Sequence, residues 1–159
     1  MSEWHDFFVA QVGATAALTG LVFVALSINL RQILQLPTLV QRAGEAIVLL
    51  VAPTIIGLFA LTPLASRRVG ALVTLVALVA WGMVTLLVVR ARAAARTRPT
   101  REFVARCIVA EAATLPAVVG GVLLFARSGY ALDFVMASTV VSLAAGIFDA
   151  WILLVEILR

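Results

Sequence analysis

The fold is decided by the stretch from Val69 to Val89, which reads VGALVTLVALVAWGMVTLLVV. None of its side chains is charged. At a rise of ~1.5 Å per residue it is long enough to cross a hydrocarbon core ~30 Å thick as an α-helix, whereas ordinary core strands are much shorter. The stretch therefore predicts a transmembrane helix.

Four further apolar blocks of similar length flank this one, at Phe7–Leu30, Gly44–Leu64, Phe103–Ala126 and Leu132–Leu158. Together the blocks predict an all-α, polytopic bundle of about five spanning helices, joined by short connectors in a single membrane-embedded domain over residues 1–159. A four-span alternative makes the first block re-entrant or interfacial. Five spans are favoured because Phe7–Leu30 lacks the charged face that a surface-lying helix needs.

The composition excludes an ordinary soluble protein. The chain is 64% hydrophobic and 13% charged, whereas soluble domains are roughly half apolar and a quarter charged. All twelve basic residues are arginines, which indicates a high-GC bacterial genome and so a bacterial cytoplasmic membrane. Because these arginines lie mostly in connectors, membrane topology explains the net charge, and we expect the lipid bilayer rather than nucleic acid as the partner.

The distribution of arginines predicts the orientation of the spans. With the connector between the third and fourth spans inside the cell, nine arginines lie inside and three outside. The outer three are Arg67, Arg68 and Arg127. We therefore expect the N-terminus outside and the C-terminus inside.

Enzyme signatures are missing from the sequence. With one cysteine, Cys107, and one histidine, His5, the chain can form neither an intramolecular disulfide nor a Cys/His metal site, and it cannot assemble a Ser/His/Asp or Cys/His catalytic group. Glycine-rich phosphate loops are also missing. The sequence predicts no enzyme activity, no metal and no cofactor.

Two acids lie well inside predicted spans, Glu111 in the fourth and Asp149 in the fifth. Ionisable groups in hydrocarbon are costly and often functional. Both acids lie ~12 to 14 Å from the predicted inner boundary. If the two spans are antiparallel neighbours, their carboxyl groups lie at the same level.

The fifth span carries one small and polar stripe with helical spacing. Its members are Ser138, Ser142, Ala145, Asp149, Ile152 and Glu156. Such a stripe indicates a bundle interior or a water-filled cavity. One interpretation is an ion path lined by Asp149, Glu111, Ser142, Ser138 and Glu156. The other is close helix packing, in which the acids bond to Ser, Thr or Arg, with Arg106 meeting Glu156 in a static ladder of ion pairs.

Small residues in the first span, Gly13, Ala16, Ala17 and Gly20, follow the small-xxx-small spacing of close helix contacts. They predict either packing within the chain or a subunit interface. Two prolines inside spans, Pro53 and Pro116, are expected to kink their helices or free carbonyl groups, and a freed carbonyl near Glu111 is a candidate ion ligand.

A run of arginines between the third and fourth spans is expected to lie against anionic lipid head groups. The candidate contacts are Arg90, Arg92, Arg96, Arg98 and Arg101.

These observations favour a small membrane protein that forms a homo-oligomer with a cation-conducting or cation-binding path. The first alternative is a non-catalytic scaffold or accessory subunit that binds another membrane protein. The second is a small proton-coupled transporter that uses the two carboxyl groups.

Overall fold

The computed structural model of the protein describes residues 4–94 and 100–157, and this part of the chain consists of α-helices joined by short connections. The helices are α1 (His5–Ile28), α2 (Leu30–Gln35), α3 (Pro37–Leu61), α4 (Ser66–Ala94), α5 (Thr100–Phe125) and α6 (Ala131–Ile157). All except α2 are long and apolar enough to cross a membrane. The predicted all-α bundle of five spanning helices is confirmed.

The first apolar block forms a helix of full spanning length. α1 has 24 residues and lies against α3, where the side-chain amide of Gln11 donates a hydrogen bond to the backbone oxygen of Pro53. Its length and its packing along a second spanning helix favour five spans over the four-span alternative.

The boundaries of the second span differ most from the prediction. α3 begins at Pro37, seven residues before the apolar block that starts at Gly44, because its first two turns carry polar side chains that hydropathy does not count. Proline at the first helical position is favourable, since its missing N–H would have no partner there. The short helix α2, which follows a break in the helix at Asn29, was not predicted.

Four of the spanning helices form a bundle, and the remaining one, α1, lies outside it. α3, α4, α5 and α6 pack in a ring, each against two neighbours, and α1 packs mainly against the outer side of α3. Large apolar side chains such as Leu21, Ile28 and Leu75 are exposed around this bundle. In a membrane they face lipid.

Glycines let α4 and α5 come unusually close. A Cβ atom on Gly121 would lie 2.7 Å from the backbone nitrogen of Thr74, and one on Gly70 would lie 2.4 Å from the backbone nitrogen of Phe125. Real Cβ atoms do not make contacts this short, so the two helix backbones touch only because both positions lack a side chain.

Candidate functional site

Four charged residues meet inside the bundle, and we call them the charge network: Arg42 and Glu45 of α3, Arg106 of α5 and Asp149 of α6. Arg42 Nε lies 3.5 Å from Asp149 Oδ1, and the Arg106 guanidinium pairs with Glu45. Glu45 and Asp149 also lie close enough to interact electrostatically. Two positive and two negative side chains therefore balance within one site.

The residues of the charge network lie one to two turns inside the ends of their helices. Arg42 is five residues into α3, Arg106 six residues into α5, and Asp149 eight residues before the end of α6, which corresponds to ~8 to 12 Å of helix. Arg42, Glu45 and Asp149 are buried. Removing such charges from water is costly, and pairing them offsets much of that cost.

Glu45 has a different role from the one its sequence position suggested. Its position near the start of the second apolar block is typical of a residue that anchors a span at the membrane surface, yet its side chain is buried and paired with Arg106. The three-residue spacing of Arg42 and Glu45 puts both on one face of α3. This spacing was the sequence feature from which a shared charged site could have been predicted. The predicted contact of Arg106 with Glu156 stays untested because the Glu156 side chain lies outside the described part.

The serines of the α6 stripe face the bundle interior, as predicted. Ser142 Oγ donates a hydrogen bond to the backbone oxygen of Leu49 at 2.6 Å. That oxygen has no partner within α3, because Pro53, four residues later, has no N–H. The serine of one helix therefore satisfies the carbonyl that a proline frees in another.

Ser138 makes a similar bond to α5. Its Oγ donates to the backbone oxygen of Ala113 at 2.5 Å, in the turn before Pro116. Both serines thus hold neighbouring helices together through carbonyl groups at proline-containing segments. This arrangement matches the packing interpretation of the stripe.

A small cavity lies beside these two serines, with Thr114 and Thr139 also on its wall. Its volume is about 20 Å³. A cavity of ~10 to 15 Å³ is enough to hold one water molecule, so this one has room for a single water. An aqueous route needs far more space.

Glu111 does not pair with Asp149 in the structure. Its Oε2 accepts a hydrogen bond from Trp81 Nε1 of α4 at 2.7 Å, whereas Asp149 faces Arg42 of α3. The two acids occur at similar depths on adjacent helices, but their side chains leave those helices toward different neighbours. The two acids therefore share a level, as expected for antiparallel neighbours, but each carboxyl group has a different partner.

The small residues of α1 lie on its outer side. Gly13, Ala16, Ala17 and Gly20 are all exposed, and a Cβ atom on either glycine would meet nothing within 4 Å. The opposite face of α1 carries Gln11 and Thr15, which are buried against α3. Packing within the chain does not involve the small residues.

The predicted lipid-contacting arginines are only partly described. Arg90 and Arg101 are exposed, whereas Arg92 lies over the Phe103 ring, 5.5 Å from its centroid. Arg96 and Arg98 lie outside the described residues. Lipid contact and the orientation of the bundle stay predictions from the arginine pattern.

The helices, their lipid-facing surface and the paired polar groups between them define a polytopic helical membrane protein. No protein-family model, curated protein or solved structure matches the chain.

Proposed function

We propose that this protein is a non-catalytic membrane scaffold or accessory subunit, which assembles with other spanning helices, including those of its own copies, through the outer side of α1. The observation that carries this proposal is the exposure of Gly13, Ala16, Ala17 and Gly20 in the folded chain. Helix association in a bilayer depends on close van der Waals packing, and small residues permit it.

The bundle interior supports the same proposal. Its serine hydroxyls bond to carbonyl groups of adjacent helices, and its acids Glu45 and Asp149 pair with arginines. These groups stabilise the fold of the chain itself. The surface available for assembly is therefore on the outside of the bundle.

Replacing both Gly13 and Gly20 with leucine is expected to prevent self-association. Neither leucine would meet the rest of the chain at its Cβ atom, so the monomer should fold normally while the close approach of a second helix is blocked. The measurement is the mass of the particle in nanodiscs, relative to the 16.9 kDa chain. We expect a shift from oligomer to monomer.

Gly82→Leu is the matched control, because Gly82 on α4 also has open space around a Cβ atom. It should leave the particle mass unchanged. An unchanged mass for the Gly13→Leu/Gly20→Leu variant, or an equal shift for the control, would contradict assembly through α1.

A cation path is the second candidate function. The water-sized cavity beside Ser138 and Ser142 favours it, as does the position of Asp149 about two turns further along the same face of α6. Conduction would require the bundle or its oligomer to open around these groups.

Cation flux into proteoliposomes distinguishes the two candidates. The scaffold proposal predicts flux no greater than in empty liposomes, both for the wild type and for Asp149→Asn. Flux in the wild type that Asp149→Asn reduces tenfold or more, with the particle mass unchanged, would make the cation path the primary function.

A further inference from the structure

Glu111 and Trp81 form a polar contact on the seam between α5 and α4. Glu111 is eleven residues from the start of α5 and fourteen from its end, and Trp81 occupies a similar position in α4. At ~1.5 Å per residue, the carboxyl group lies ~16 to 21 Å from either end of its helix. It is therefore near the middle of the spanning helix.

The surface around this contact is apolar and open. Leu78, one turn from Trp81, is 45% exposed, and Ile108 and Leu115, each about one turn from Glu111, are 63% and 40% exposed. Glu111 itself is only partly buried. Its carboxyl group therefore lies at the edge of a lipid-facing surface, unlike the buried acids of the charge network.

The Glu111 carboxyl group has few hydrogen-bond partners in this position. A carboxylate can accept about four hydrogen bonds, and within residues 4–94 and 100–157 Glu111 accepts one, from Trp81 Nε1. Lipid tails offer no donors. Burying a polar group at this depth costs free energy, and a hydrogen-bond or ion-pair partner on another helix can offset that cost.

Within residues 4–94 and 100–157, the chain offers Glu111 no basic partner. The arginines nearest to this depth, Arg42 and Arg106, belong to the charge network, and the other described arginines lie close to helix ends. A second copy with the same orientation would bring another Glu111, and not a basic side chain, to the same level. A basic group at this depth would therefore come from a different protein.

We propose that Glu111, oriented by the indole N–H of Trp81, binds a lysine or arginine near the middle of a spanning helix of another membrane protein. This inference rests on the proposed scaffold function and names the partner's chemistry. The apolar side chains around Glu111 exclude water from the contact, and this strengthens the ion pair.

A synthetic spanning helix can test the proposal without knowledge of the natural partner. The probe is a polyleucine peptide with one central lysine, compared with the same peptide carrying leucine at that position. Energy transfer between a labelled peptide and the labelled full chain in liposomes measures their association. We expect the lysine peptide to bind the wild type at least tenfold more tightly than the leucine peptide.

Glu111→Gln should abolish this preference, because glutamine keeps an acceptor for Trp81 but removes the charge. Asp133→Asn is the matched control, since Asp133 is exposed, lies in the first turn of α6 and loses the same charge. It should keep the preference. Trp81→Phe, which retains an aromatic ring but has no donor, should weaken the preference severalfold.

Equal binding of the two peptides to the wild type, or a preference that persists in Glu111→Gln, would overturn the proposal. A change of particle mass in Glu111→Gln without any peptide preference would also overturn it, because the contact would then lie between copies of this chain. Self-association through α1 is measured separately with the Gly13→Leu/Gly20→Leu variant. A failure of one proposal can therefore be told apart from a failure of the other.

Discussion

Glu45→Gln is expected to lower the free energy of unfolding by about 3 to 5 kcal/mol, the usual effect of removing one partner from a buried ion pair. The substitution preserves the size of the side chain but leaves Arg106 without its counter-charge in the bundle interior. Loss of Glu45 should be especially costly for Arg106, because the buried Nε of Arg106 already has no hydrogen-bond partner in the described structure. Within the charge network, Asp149 would then be the one acid left to balance two arginines.

The unfolding midpoint in a denaturing-detergent titration, converted to a free energy, measures this effect. Glu102→Gln is the matched control, because Glu102 is exposed at the start of α5, and it should change stability by less than about 0.5 kcal/mol. The double variant Glu45→Gln/Arg106→Gln should be more stable than the sum of the single effects predicts, since it leaves no uncompensated charge. Additive effects, or a Glu45→Gln variant as stable as the control, would show that the pair does not stabilise the bundle.

Gly121→Val is expected to separate α4 from α5 and to lower the free energy of unfolding by at least about 2 kcal/mol, as overpacking does. Even the Cβ atom of the new side chain would lie 2.7 Å from the Thr74 backbone nitrogen and 2.9 Å from its Cα atom. A flexible side chain could move away from such a contact. Helix backbone cannot, so the whole helix pair must shift.

Gly82→Val is the control for this experiment. It introduces the same β-branched side chain into α4, where a Cβ atom meets nothing within 4 Å, and it should leave stability nearly unchanged. The same titration measures both variants. If the two valines have the same effect, the close approach of α4 and α5 does not limit stability.

The spans could be predicted because each depends on local sequence. A block such as Val69–Val89 has few stable alternatives in a bilayer, since a helix satisfies every backbone hydrogen bond within the segment. The inward direction of Ser138, Ser142 and Asp149 was likewise predictable, because helical periodicity places them on one face. The start of α3 could not be predicted in this way, since the first turns of this helix contain polar residues that lie outside the apolar block.

The partners of the polar groups could not be predicted in the same way. Asp149 and Glu111 have similar depths, yet one meets Arg42 and the other Trp81. Depth follows from position along a helix, whereas the neighbour that a side chain meets depends on the rotation of each helix about its axis. That rotation results from packing among several helices, including the close contact at Gly121.

The sequence by itself determined that this chain crosses a membrane as helices, which segments do so, and which face of the last helix turns inward, because hydropathy and periodicity are properties of single segments. Only the tertiary structure decided that the acids of the interior pair with arginines, that the serines bond to backbone carbonyl groups of neighbouring helices, that the small residues of α1 are exposed, and that Glu111 bonds to Trp81. These outcomes depend on contacts between segments far apart in the chain, and the spacing of residues within one helix does not specify them.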